Sequence, residues 1–396
     1  MKLTLRQQIT QFAHVLQTGL FPILNEELGE LTPPAKRLVA TLEMIPLARF
    51  VPSSRGWIGR PSKDRLAIAS AFVAKAVYGF PLTRQLLDAL ASDTQLRHIC
   101  GWKEPWQVPH ESTFSRAFDE FARMELPQFV HETLIRETQK DRLIGHIARD
   151  STAIEARERF PETPAQAARK EAEKAAPRSP RKRGAPRGPQ KRYQGGRRPY
   201  VPKSDTRLAR QREMKLSEML ADLPQQCDLG GKKDSHGNDH YWRGYKLHWD
   251  VADGQIPISA VLTSASVHDS QVAIPLATMS TQRVTYCYAL MDAAYEAQHI
   301  VEQSRQLGHV PIVDPKAPGG AKSQAKAIPL GKRKRELTWA EQDRYKERTM
   351  VERVNARLKD EFGGRNVRVR GAAKVMAHLM FGVVALTVDQ ILKLVK

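Results

Sequence analysis

Val284-Thr-Tyr-Cys-Tyr-Ala-Leu-Met291, followed at once by Asp292, is the stretch that decides the fold. Eight residues largely apolar on both faces read as a strand covered on both sides, as inside an α/β layer. A helix is expected after it from Ala297 to about Leu307, and then a short strand, Val310-Pro-Ile-Val313. Upstream, Leu143-Ile-Gly-His-Ile-Ala-Arg-Asp150 reads as another strand. Tyr245-Lys-Leu-His-Trp-Asp-Val251 and Pro257-Ile-Ser-Ala-Val-Leu-Thr263 read as two more, joined in a hairpin across the turn dipeptide Asp253-Gly254. Strands first, then strands alternating with helices, predict an α/β fold with a mixed sheet flanked by helices.

The apolar strand ends in an acid. A carboxylate at the end of such a strand is costly unless paired, so Asp292 reads as a ligand. Asp150 ends its predicted strand in the same way, and sites in open α/β folds gather at strand carboxyl ends. For Asp150 the alternative is a cap on the next turn. A third acid lies in Tyr345-Lys-Glu-Arg348-Thr-Met-Val-Glu352, a stretch that runs on to Lys359. Here the offsets from Tyr345 are three, seven and fourteen, one face of a single helix. Such a stripe is either a solvated, salt-bridged face or a site for phosphates and metal. Two aspartates on neighbouring strands and a glutamate from a helix can hold two divalent ions about 4 Å apart. Hard oxygen donors select Mg²⁺, with Mn²⁺ as substitute. One ion would make a hydroxide or 3′-hydroxyl nucleophilic, the other would stabilise the leaving oxygen of a phosphodiester.

The whole chain, 396 residues with a formal net charge of +20, suits two or three domains and a polyanionic partner. Nucleic acid leads, with an anionic membrane surface second. Cys100, Cys227 and Cys287 lack metal-ligand spacing and read as reduced thiols of a cytoplasmic, nucleoid-associated protein. No signal-peptide core is apparent near Met1. The apolar run Met380 to Val388 is too short to span a bilayer and reads as a core helix.

Residues 1–141 read as a helical N-terminal domain and 142–396 as the α/β domain. A helix over Leu66 to Tyr78, a second from Thr83 through Leu90 and a third capped by Ser112 fit a helix-turn-helix DNA reader. They fit a plain bundle or dimerisation module equally. Residues 157–215 form a Pro/Gly/Arg-rich insert without apolar period, expected to be disordered in isolation. It holds roughly two thirds of the positive surplus, including Arg181, Lys182, Arg183, Arg197 and Arg198, as an arm tracking a phosphate backbone should. A shorter basic loop runs from Lys316 to Arg335. Lys246 is a phosphate-contact candidate or a surface lysine. Asp250 and Asp253 read as hairpin residues, and Asp269 or Ser270 as a helix cap more readily than a metal ligand.

The spacing Tyr345, Arg348, Glu352, Lys359 resembles the Tyr-Arg-Glu-Lys signature of bacterial insertion-sequence transposases of the DDE type. Arg149-Asp150-Ser-Thr and Met291-Asp292-Ala-Ala-Tyr295 resemble the strands that carry that family's aspartates. Gly244 to His248 and Thr263 to Ser270 resemble its intervening hairpin, and residues 60–125 its N-terminal domain. The resemblance implies an RNase H-like catalytic domain that cuts transposon ends and joins 3′-hydroxyls to target DNA. It implies Asp150, Asp292 and Glu352 as catalytic metal ligands, and Tyr345, Arg348 and Lys359 as DNA contacts. Double-stranded DNA would be the partner, a homodimer the working form in the DNA complex, and no membrane is involved. The rival readings are a related nuclease that cuts without joining and a non-catalytic DNA-binding descendant.

Overall fold

The computed structural model describes residues 4–51, 63–158, 206–233, 238–314 and 337–394. Six strands form one sheet: β1 (Leu143–Glu155), β2 (Asp228–Lys233), β3 (Asp239–Ala252), β4 (Ile256–Ser264), β5 (Thr285–Met291) and β6 (Val310–Val313). β1 is central, antiparallel to β3 on one side and parallel to β5 on the other. β6 lies parallel beyond β5, while β3 carries β2 along its first half and β4 along its second. The order β4-β3-β1-β5-β6, with an antiparallel meander beside parallel strands, is the RNase H-like sheet.

The hairpin forms as its turn dipeptide predicts, with Gly254 at φ +82° and Gln255 at +61°. Three expectations change. β1 runs five residues past Asp150, because Ser151 to Glu155 continue to pair with β3. β3 begins at Asp239, and β2 was not expected at all. Asp228-Leu-Gly-Gly-Lys-Lys has no apolar alternation, and its glycines serve close approach. A Cβ on Gly230 would meet the Trp242 ring at 2.4 Å.

Alternate residues of a strand face opposite ways, and helices cover both faces here. On one side the Ser280 hydroxyl, from helix Ser270–Thr281, donates to Asp250 at 2.7 Å. On the other the Trp249 indole N–H donates to Asn355 of helix Thr349–Asp360 at 2.9 Å. Asp250 lies in the hairpin as expected, opposite Ser259 of β4, but it is a core residue rather than a turn residue. It is fully buried and bidentate with Arg149, both contacts being 2.8 Å. Asp253 does sit in the turn, taking the Gly145 and His146 N–H groups at 2.8 and 2.9 Å.

Helix Ala372–Lys393 joins the halves of the molecule. It is long and apolar enough to cross a membrane, yet 78% of its apolar window is buried inside the protein. It lies against β4 and against the helices Pro33–Met44, Arg65–Val77, Glu111–Arg123 and Leu126–Gln139. One continuous core results, running from Ile9 to Ile391. In the helical N-terminal region, His110 rather than Ser112 caps the helix Glu111–Arg123, its ring nitrogen accepting from the Ser112 N–H. Helix Thr94–Ile99 stands between Thr83–Ser92 and Glu111–Arg123, so these two are not joined by a tight turn.

The described residues at both ends of the 157–215 stretch pack onto the α/β domain. Arg207–Gln211 is helical, Arg207 pairs with Asp222 at 2.7 Å, and fully buried Gln211 donates to the Gln271 carbonyl. Glu158, at the other end, accepts from the Tyr245 hydroxyl at 3.0 Å and the Gly371 N–H at 2.7 Å.

Candidate active site

In the parallel register Ala148 stands opposite Leu290, which brings Asp150 level with Asp292. Asp150 thus lies inside β1 but at the height where β5 ends, in the crevice where an α/β sheet opens. Asp292 turns its side chain to the Ala294 N–H, opening the short helix Ala293–Tyr295. Glu352 approaches from helix Thr349–Asp360, whose apolar residues Met350, Val351, Val354 and Leu358 are buried.

The expected single helix from Tyr345 to Lys359 is instead composite. Tyr345 ends the helix Trp339–Tyr345, Lys346–Arg348 form a tighter 3₁₀ turn, and the α-helix restarts at Thr349. Arg348 therefore projects between the acids. Its Nη1 lies 3.0 Å from Glu352, and its Nη2 lies 3.5 Å from Asp150 and 3.6 Å from Asp292. One guanidinium touches all three carboxylates, and its buried Nε has no acceptor among the described residues. Three ionised acids against one guanidinium leave a local charge of about −2, which a divalent cation would balance. Among the described residues no three His, Cys, Asp or Glu side chains stand close enough to share one ion. The donor set fits a hard cation, and Arg348 supplies the positive charge between the acids.

Burial drives the electrostatics. It pushes the Asp150 carboxyl up to about 6, with Asp292 and Asp269 adding to the rise and Arg348 opposing it. Burial likewise raises the Tyr345 phenol to about 12, and Asp314, Asp292 and Asp150 add to it. Lys359 is placed differently, two turns beyond Glu352. Its pKa is lowered by burial and by Lys232 and Arg365, against which Glu155 and Asp360 act, so its charged neighbours are not the three acids. Lys246 points to the opposite face of the sheet from Asp150. It is held by the Asp269 carboxylate at 3.0 Å and the Val267 carbonyl at 2.9 Å, not free as a surface lysine would be. The Asp269 side chain takes Ser151 and Lys246 and makes no helix cap, a task left to His268. Arg181, Lys182, Arg183, Arg197, Arg198 and the basic loop from Lys316 to Arg335 lie outside the described residues.

Asn355 was missed by sequence reasoning. Its amide donates to Asp150 at 3.3 Å while its oxygen accepts from Trp249, tying the acid to the sheet. It stands three residues after Glu352, a helical offset that would have placed it on the same face.

A sheet of this topology, with Asp150 and Asp292 level on neighbouring strands and Glu352 on a covering helix, is an RNase H-like fold. The Transposase DDE domain model matches residues 144–388, and the Transposase domain (DUF772) model matches 26–120. The chain belongs to the insertion-sequence DDE transposases. No curated protein and no solved structure matches it.

Proposed function

We propose that this transposase cuts phosphodiesters at the ends of its element and joins the freed 3′-hydroxyls to target DNA, with Asp150, Asp292 and Glu352 as its catalytic metal ligands. The contact of one guanidinium with all three carboxylates carries this reading, because a single side chain links acids distant in sequence. The family works with divalent metal, and Mg²⁺ suits three carboxylates; bound there, it would activate the attacking oxygen and stabilise the leaving one. Asp150, made a reluctant anion by burial, has most to gain from such an ion. Asn355 and Trp249 fix its direction. Asp292 is held by its backbone contact with Ala294, whereas Glu352 is the most exposed of the three and moves with its helix. Arg348, once a cation neutralises the acids, is free to take a DNA phosphate at the scissile bond, with the Tyr345 phenol beside it. Lys359 meets the same strand further along.

The test is strand transfer on a labelled duplex carrying the element's terminal sequence. Asp150→Asn, Asp292→Asn and Glu352→Gln should each abolish Mg²⁺-dependent cleavage and joining while duplex affinity stays within a few-fold. Full activity in any one would remove that residue from the site. Cleavage without joining in the native protein would favour a plain nuclease.

A further inference from the structure

A cavity of about 420 Å³ lies where the helical N-terminal region meets the segment that follows the Glu352 helix. Its floor is aromatic, from Phe72 and Phe118, and its rim is cationic, from Arg368, Arg370 and Lys374. Lys75 stands in the wall, only 7% exposed, with one contact from its ammonium, the Pro81 carbonyl at 3.4 Å. An ammonium offers three donors, and a buried one without a carboxylate is costly. Burial accordingly lowers Lys75 to about 8. Arg368 and Arg370 are exposed and form no ion pair among the described residues. Lys374 reaches Asp119 at 3.0 Å, and Glu111 is the one acid lining the cavity. Beside it half-buried His378 is kept neutral, lowered to about 3 by desolvation and by Lys75.

So many cations around a concave, partly buried space call for an anion. The site described above lies elsewhere, but the two are joined along the sheet. β1 leads from Asp150 to Glu155, and three residues beyond its end the Glu158 carboxylate takes the Gly371 N–H immediately after Arg370. The strand part of that path, from Asp150 to Glu155 at about 3.3 Å per residue, is roughly 16 Å long, about five nucleotides of a B-form strand.

We propose that this cavity is a second phosphate site, in which Arg368, Arg370, Lys374 and Lys75 grip the DNA backbone several nucleotides from the bond held at Asp150. The inference rests on the transposase reading and adds to it a clamp built from both halves of the chain. Lys75 explains why both halves are needed: its charge comes from the N-terminal helix Arg65–Val77, the arginines from beyond residue 360. Buried alone it costs stability; with a phosphate beside it the cost becomes affinity.

The experiment measures affinity for a short random-sequence duplex against salt for the full chain. Arg368→Ala/Arg370→Ala should reduce the slope of log K against log salt by about 2, since each neutralised phosphate contributes close to one. A charge-matched control, Lys140→Ala/Arg305→Ala at exposed sites outside the cavity, should leave it within error. Lys75→Met should melt higher than the native protein and yet bind the duplex several-fold more weakly, a pairing that a merely structural lysine does not produce. An unchanged slope in the double variant, or native duplex affinity in Lys75→Met, overturns the proposal. So does a phosphate-specific rise in melting temperature at constant ionic strength that these variants abolish without touching duplex binding, which would mark a small-anion site. Absence of salt-dependent duplex binding by the native chain would instead sink the transposase reading itself.

Discussion

The Nη2 atom of Arg348 stands 3.5 Å from Oδ1 of Asp150, and the same guanidinium reaches Asp292 and Glu352. Without metal, the arginine is what keeps three acids together. Arg348→Ala should therefore lower stability in EDTA by roughly 1–3 kcal/mol, the range for losing hydrogen bonds to charged groups. Mg²⁺ should restore the loss, so the metal-induced rise in melting temperature should exceed that of the native protein. Thermal unfolding with and without Mg²⁺ checks this; equal rises would show that the arginine does not share the cation's place.

Asp150 gives a pH dependence of definite sign. Its folded-state pKa, about 6, lies above the ordinary carboxyl value of 3.8, so the folded protein binds the proton more tightly. Stability from this group should fall as pH rises from about 4 to 6 and level off above. Asp150→Asn removes the cost, so in EDTA it should be more stable than the native chain above pH 6, by on the order of 2 kcal/mol, and nearly equal to it at pH 4. Denaturant titrations at the two pH values provide the measurement.

The strands around Asp150 and Asp292 were legible because apolar residues dominate each up to its aspartate, although β1 runs on past Asp150 to Glu155. β2 was not, since Asp228 to Lys233 has glycines and charges where alternation would show. The burial of Asp250 against Arg149 was not legible for a different reason. Its partner, Arg149, adjoins Asp150, and nothing local in either segment reveals that their strands pair. Periodicity also drew one helix from Tyr345 to Lys359, and it does not show the 3₁₀ turn at Lys346–Arg348 that interrupts it. The convergence of Asp150, Asp292 and Glu352 is expected from two acids placed at strand ends and one on a helix face, and the family resemblance implies the same trio. The i,i+4 spacing of Arg348 and Glu352 puts that pair in reach, but nothing in it shows that the same guanidinium also meets Asp150 and Asp292.

Asn355 carries no charge and so drew no notice, yet it couples the Glu352 helix to Asp150 and to Trp249. It is a positioning residue. Asn355→Ala should lower the cleavage rate by about 10–100-fold, as loss of a partner to a metal ligand does, with little change in duplex affinity. Asn355→Asp would place a further acid beside Asp150 and raise the Asp150 pKa, shifting the acid limb of the cleavage pH profile upward. A rate profile for the two variants separates positioning from packing, because a packing defect would alter stability and leave the acid limb in place.

The Arg149–Asp250 pair lies one residue from Asp150, on the opposite face of the sheet, and it fixes β1 against β3 from within. Both side chains are essentially without solvent contact, and Ser280 completes the acid's hydrogen bonds. Burial disfavours the Arg149 charge, but Asp250 outweighs it and keeps the guanidinium strongly protonated. Removing one partner strands the other charge in the core, so Asp250→Ala should destabilise the protein by about 3–5 kcal/mol. Replacing both by apolar residues of similar size, Arg149→Met/Asp250→Leu, should recover most of that loss. If the pair also sets the register that holds Asp150 level with Asp292, the double variant will fold and still cleave slowly. Native cleavage in the refolded double variant would confine the pair to stability.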